Sequence, residues 1–209
     1  MTCIAYKHPF IVADQRVTGG NASLFGSTKK VSVLDLSIQH NLFPEEHGKI
    51  YVGFAGDAAT ERVLVALIKA HLVGSESDQD AAQDKARKYL GEKKESGFEC
   101  ICVHVKNGVV QLYSLEPNLL MMEYDAPFSA IGAGGEVAIG ALAAGADVWQ
   151  AVHHTTIWNA SCGYPIDGYN VLTGQYYKFN DVENIKDFLA TQNFKIEYKN
   201  PYVLREHCA

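Results

Sequence analysis

Three side chains near the start of the chain, Thr2, Asp14 and Lys30, have the types and spacing for nucleophilic hydrolysis. A threonine hydroxyl is a weak nucleophile until a base takes its proton. If Met1 is removed, which the small Thr2 side chain permits, the α-amine of Thr2 can be that base, with a reference pKa of about 7.7–8.0. Asp14 closes the apolar run Phe10-Ile11-Val12-Ala13, and Lys30 opens the run that starts at Val31. Should those two ends converge beside Thr2, the Lys30 ammonium lowers the pKa of the amine and hydroxyl. Asp14 then pairs with Lys30 and holds its side chain in place.

Positioning these groups falls to short strands and helix pairs. Cys3–Lys7 and Pro9–Asp14 read as strands joined at His8-Pro9, followed by a Gly/Asn/Ser-rich loop over 18–28. Val31–Ile38 and Lys49–Phe54 are further strands. An apolar helix over Ala58–Leu72 and a polar one over Asp80–Lys94 come next. The Lys93-Lys94-Glu95 end of the second helix reads as a solvated face. Asn107-Gly108 predicts a hairpin of Glu99–Lys106 with Val109–Leu115. Phe128–Ile131 enters Gly132-Ala133-Gly134-Gly135, then helices over Glu136–Ala144 and Asp147–Trp158. Two strands after Gly163 and a helix over Asp181–Thr191 lead to a polar tail. Runs of strands alternating with helix pairs predict antiparallel sheets rather than a strict α/β alternation. Two stacked sheets with a helix pair on each outer face make an α+β, four-layer αββα sandwich, one domain over 1–209.

Composition restricts the partners. A chain of 209 residues with 47% hydrophobic and 20% charged residues has enough apolar material for a core. A formal charge of −6 argues against nucleic acid. No apolar run is long enough to span a bilayer and no secretory leader is evident, so no membrane role is expected. Five cysteines, at 3, 100, 102, 162 and 208, form no framework and point to the cytoplasm. Cys100 and Cys102 face one way on their strand and read as buried structural thiols. Gly132–Gly135 lacks the βαβ setting of a nucleotide loop, and adjacent His153 and His154 diverge too far on a helix to share a ligand.

The segments Met1-Thr2-Cys3-Ile4-Ala5, Ala13-Asp14-Gln15-Arg16-Val17-Thr18-Gly19 and Lys29-Lys30-Val31 resemble those of proteasome β subunits and the HslV-like peptidases. The resemblance implies an N-terminal-nucleophile hydrolase fold and a threonine-type endopeptidase. Thr2, Asp14 and Lys30 would be its site, with the Gly56 N–H in the oxyanion hole. Thr18 and Ala58 fall where the family holds an extended peptide by main-chain bonds. Val17, Thr28 and Phe54 fall where side chains line the pocket before the cut, implying a preference for uncharged residues of modest size. No cofactor is implied. The partners implied are unfolded protein or peptide, copies of the chain in a homo-oligomeric ring, and an ATP-dependent unfoldase.

Ile131–Gly135 and Asn159-Ala160-Ser161-Cys162-Gly163 match the family's later segments less closely. Ala133 replaces a serine hydroxyl near the threonine amine, and Asn159 and Cys162 replace an aspartate and a serine. These departures leave two alternatives: a weakened or inactive ring-forming scaffold, and an amidohydrolase of the same fold acting on a small amide.

Overall fold

The computed structural model describes residues 2–17, 28–36, 48–92 and 97–191. A hairpin of β1 (Ile4–Lys7) and β2 (Phe10–Asp14) is followed by β3 (Val31–Asp35) and β4 (Lys49–Ala55). Helices α1 (Ala58–Val73) and α2 (Glu76–Glu92) precede β5 (Glu99–Lys106), β6 (Val109–Leu115), β7 (Met121–Glu123) and β8 (Phe128–Ile131). Then come α3 (Gly135–Ala143), α4 (Val148–Trp158), β9 (Ile166–Asn170), β10 (Tyr176–Phe179) and α5 (Val182–Thr191). The Gly-rich loop over 18–27, positions 37–38 of the predicted third strand, the 93–95 charge run and the polar tail fall outside the described residues.

The strands pair antiparallel in two sheets, ordered β10-β9-β2-β1-β8 and β3-β4-β5-β6-β7. The two-residue side-chain period of a strand decides which layer each residue enters. Ile4, Tyr6, Ile11 and Ala13 meet Tyr51, Ile101, Val103 and Leu112 between the sheets. Ala5, Phe10 and Val12 point the other way, onto Ala138 and Leu142 of α3 and Trp149 and Val152 of α4. On the second sheet Val52, Phe54, Cys100 and Cys102 pack on Leu64 and Ile68 of α1 and Ala86 of α2. Three apolar layers therefore separate four structural ones, and the fold is the αββα sandwich.

α5 joins the helix layer of the first sheet. Its Phe188 lies 5.8 Å from Trp149 and 4.8 Å from Tyr177, ring centre to ring centre, so Tyr177 and Phe179 serve packing. Two elements differ from expectation. α2 starts at Glu76 rather than Asp80, because Ser75 and Asp78 cap it reciprocally: the Ser75 Oγ donates to Asp78 Oδ2 at 2.7 Å and accepts the Asp78 N–H at 3.2 Å. β7 escapes the sequence reading because three residues are too few to show a period. Among the described residues no helix is long and apolar enough to cross a membrane.

Candidate active site

The site forms where the first sheet meets the start of the second. Asp14 ends β2 fully buried, and a carboxylate there is tolerable only with its lone pairs occupied. Four donors occupy them. Oδ1 accepts the Cys3 N–H at 2.7 Å and the Lys30 ammonium at 2.8 Å. Oδ2 accepts the main-chain N–H groups of Arg16 at 3.2 Å and Gly163 at 3.1 Å. Lys30 is itself buried, and its carbonyl accepts the Phe54 N–H at 3.3 Å. The convergence of the two oppositely charged groups, a condition of the sequence reading, is met. Their carboxylate grips the residue directly after Thr2.

Thr2 precedes β1 and lines an open cleft of about 590 Å³, with Ala55, Gly56, Asp57, Gly97, Phe98, Glu99, Gly132 and Ala133. Gly56, expected as the oxyanion donor, and Ala133 thus face the same space as Thr2. The Gly132–Gly135 turn brings β8 against Thr2: the Gly134 N–H donates to the Thr2 carbonyl at 3.2 Å. A side chain at Gly134 would meet Cys3 Cβ at 2.7 Å and Cys162 Sγ at 2.9 Å. These glycines serve close approach of the chain to the threonine rather than a nucleotide.

Asn159 ends α4 and ties this turn down. Its Nδ2 donates to the Ala133 carbonyl at 2.7 Å, and its Oδ1 accepts the Ser161 N–H at 2.9 Å. An amide can do both, whereas an ionised carboxylate cannot donate. Asn159→Asp is therefore expected to cost about 0.5–1.5 kcal/mol. The cost should appear as a fall of a few degrees in the thermal unfolding midpoint. A variant as stable as the parent would show that the Ala133 bond carries nothing.

Cys162 and Cys3 are both buried beside Gly134. Burial raises the Cys3 thiol, with the neighbouring Cys162 adding to the effect. Cys162 is raised by burial and then by the Asp14 charge. Neither is poised as a thiolate nucleophile. Cys100, pushed up to about 12 by burial, and Cys102 are core thiols. His153 bonds Tyr164 through Nδ1 at 2.9 Å, while His154 is exposed.

The residues expected to bind substrate are less well gathered. Val17 is half-buried and Thr28 exposed, and neither is among the described residues lining the cleft. Phe54 is buried and stacks, at 6.1 Å, on Phe98, which does line it. Ala58 opens α1. Thr18 lies outside the described residues. Two contributors were missed. Glu99 lines the cleft and accepts the Gly132 N–H through Oε2; it pairs across the sheet with Ala55, one residue before Gly56. Arg16 packs its guanidinium on Gly163 and donates to the Ala160 carbonyl at 2.8 Å. The only signal for Glu99 lay in the strand register, which the sequence pattern does not supply.

The layers and the sheet order are those of a proteasome-β-like αββα sandwich, and a threonine leads into its first strand. Among solved structures the chain is similar to Anbu (ancestral beta-subunit) from Yersinia bercovieri. That match has 14% identity and a TM-score of 0.64, covering 91% of this chain and 95% of the other. It is also similar to Anbu from Hyphomicrobium sp. strain MC1, with 17% identity and a TM-score of 0.61 over 96% of this chain and all of that one. An Anbu mutant from the same strain matches at 18% and 0.63, over 94% and 97%. No protein family and no curated protein matches the sequence.

The sequence resemblance to proteasome β subunits and HslV-like peptidases is corrected accordingly: the structural likeness is to Anbu, and nothing singles out an HslV-like peptidase. The physical reason lies in what the matching segments build. Thr2–Ala5, Ala13–Val17 and Lys29–Val31 make the first hairpin and the sheet junction, which the sandwich needs whatever its chemistry.

Proposed function

We propose that the chain is an N-terminal threonine hydrolase that cleaves peptide bonds once Met1 is removed. The observation supporting this most is Asp14, which binds the Lys30 ammonium and the Cys3 N–H through one oxygen. That arrangement fixes a positive charge and the chain at Thr2 relative to each other. Thr2 Oγ attacks the substrate carbonyl while the freed α-amine takes its proton. The Gly56 N–H donates to the oxyanion. Collapse of the tetrahedral intermediate returns the proton to the departing amine and leaves an ester on Thr2, which water then hydrolyses. Lys30 favours the neutral amine by its charge, and Asp14 holds Lys30.

The described cysteines are free thiols, which suits work in the cytoplasm. The chain acts as a homo-oligomeric ring fed with unfolded protein, by an ATP-dependent unfoldase where the substrate is folded. A second reading, a catalytically silent ring scaffold, is favoured by the Ala133 methyl in the cleft where the sequence resemblance expects a hydroxyl.

Intact mass before and after treatment with a peptide epoxyketone tests the reading, because that reagent condenses with both the hydroxyl and the amine of an N-terminal threonine. Expected is a chain starting at Thr2 that gains one adduct, with no adduct in Thr2→Ala. An assembled chain that retains Met1 would sink the mechanism. An adduct with no cleavage of casein or short peptides would turn the assignment toward a small amide.

A further inference from the structure

We infer that Asp167, acting through Gln15 and Tyr176, is a positioning residue that sets Lys30 against Asp14; the inference rests on the hydrolase reading only for its effect on turnover. Asp14 and Lys30 belong to different sheets, so their distance depends on how the sheets are held together. β3, which Lys30 leads into, is an edge strand with β4 on one side only, so a single ladder of main-chain bonds ties it to its own sheet. Something must anchor its beginning to the first sheet.

The anchor is a polar cluster at the β2–β9–β10 side of that sheet. Asp167 lies on β9 opposite Ala13 and is buried, at 2% exposure. Its Oδ2 accepts the Gln15 Nε2 and, at 2.8 Å, the Tyr176 hydroxyl. Gln15 directly follows Asp14, donates its main-chain N–H to the Pro165 carbonyl at 2.8 Å, and accepts the Thr28 N–H at 3.1 Å. Lys29 sits with its ammonium 4.1 Å from the centre of the Tyr176 ring, a favourable cation–π distance. Both residues preceding Lys30 are thus tied to groups that Asp167 holds, and so is the residue following Asp14.

The choice of a carboxylate needs a reason beyond packing. Asp167 Oδ1 is buried without a hydrogen-bond partner among the described residues, a costly state for a charged group. Burial raises its pKa, opposed by the bonds from Tyr176 and Gln15 and by the Lys29 charge. A neutral side chain could fill the space. A carboxylate accepts both Gln15 and Tyr176 on one oxygen and, unlike a neutral acceptor, also attracts the Lys29 charge toward them.

Lysine acylation reads the position of Lys30 without requiring catalysis. The full chain is treated with N-acetoxysuccinimide and acetylation at each lysine is followed by mass spectrometry. Lys7, bonded to the Ala146 carbonyl away from this cluster, reports general loosening. In Asp167→Asn and in the milder Tyr176→Phe, Lys30 should acylate about tenfold faster while Lys7 is unchanged. On a peptide substrate the same variants should lower kcat about tenfold with KM within twofold. Adding Lys30→Ala should make the Asp167 change silent in kcat. Unchanged Lys30 acylation, or a rise shared by Lys7, would overturn the inference. Faster Lys30 acylation in a protein that hydrolyses nothing would uphold it and count against the hydrolase reading instead.

Discussion

Replacing Lys30 by alanine is expected to reduce hydrolysis at least a hundredfold and to lower stability by about 3–5 kcal/mol, the usual cost of leaving one member of a buried ion pair behind. Asp14 is fully buried and Lys30 nearly so, and their 2.8 Å contact is the sole ion pair of that kind among the described residues. The protein should nevertheless fold, because three main-chain N–H groups still reach the Asp14 carboxylate. Lys30→Met keeps the stem of the side chain and separates packing from charge. Urea unfolding followed by circular dichroism gives the stability change, and epoxyketone labelling kinetics give the effect at Thr2. Normal labelling by a destabilised Lys30→Ala would mean the ion pair is structural and Lys30 has no part in activating the threonine.

Gly132→Ala should be a strongly damaging small change at the cleft. Gly132 has φ +84°, a region in which an L side chain is strained, and its added Cβ would overlap the carbonyl oxygen of Thr2. Strain of about 1–3 kcal/mol combines with a steric cost of similar size, so a loss of about 2–6 kcal/mol is expected. The turn cannot move aside cheaply. Its Gly132 N–H is held by Glu99, and the next N–H but one binds Thr2. Labelling of Thr2 should be abolished along with the stability loss, measured in the same two assays. Gly140→Ala, on the same stretch but with open space around its Cα, should be neutral or slightly stabilising. If Gly132→Ala labels like the parent, the turn does not position the nucleophile.

These two variants probe different sources of information. The alternation of Ile4, Ala5 and Tyr6, the Asn107-Gly108 turn and the helix-period segments decide which elements form and which face each one buries. Those are local properties, fixed by backbone sterics and by apolar spacing along a few residues. The layer order follows from them, since each apolar face has to be covered by another. Residue types made Thr2, Asp14 and Lys30 candidates, and the resemblance of their segments to proteasome β subunits is what set them apart from other polar residues.

Tertiary structure alone decided the rest. That Glu99 stands beside Thr2 depends on Ala55 pairing with Glu99 across β4 and β5. That Asn159 must be an amide depends on the Ala133 carbonyl, 26 residues away, turning toward it. That Phe54 lies behind Phe98 rather than in the cleft depends on how α1 and α2 cover the second sheet. The chain carries the chemistry of each group in its sequence. Distances between groups far apart along it are set only when the apolar layers close and every buried polar atom has to find a partner.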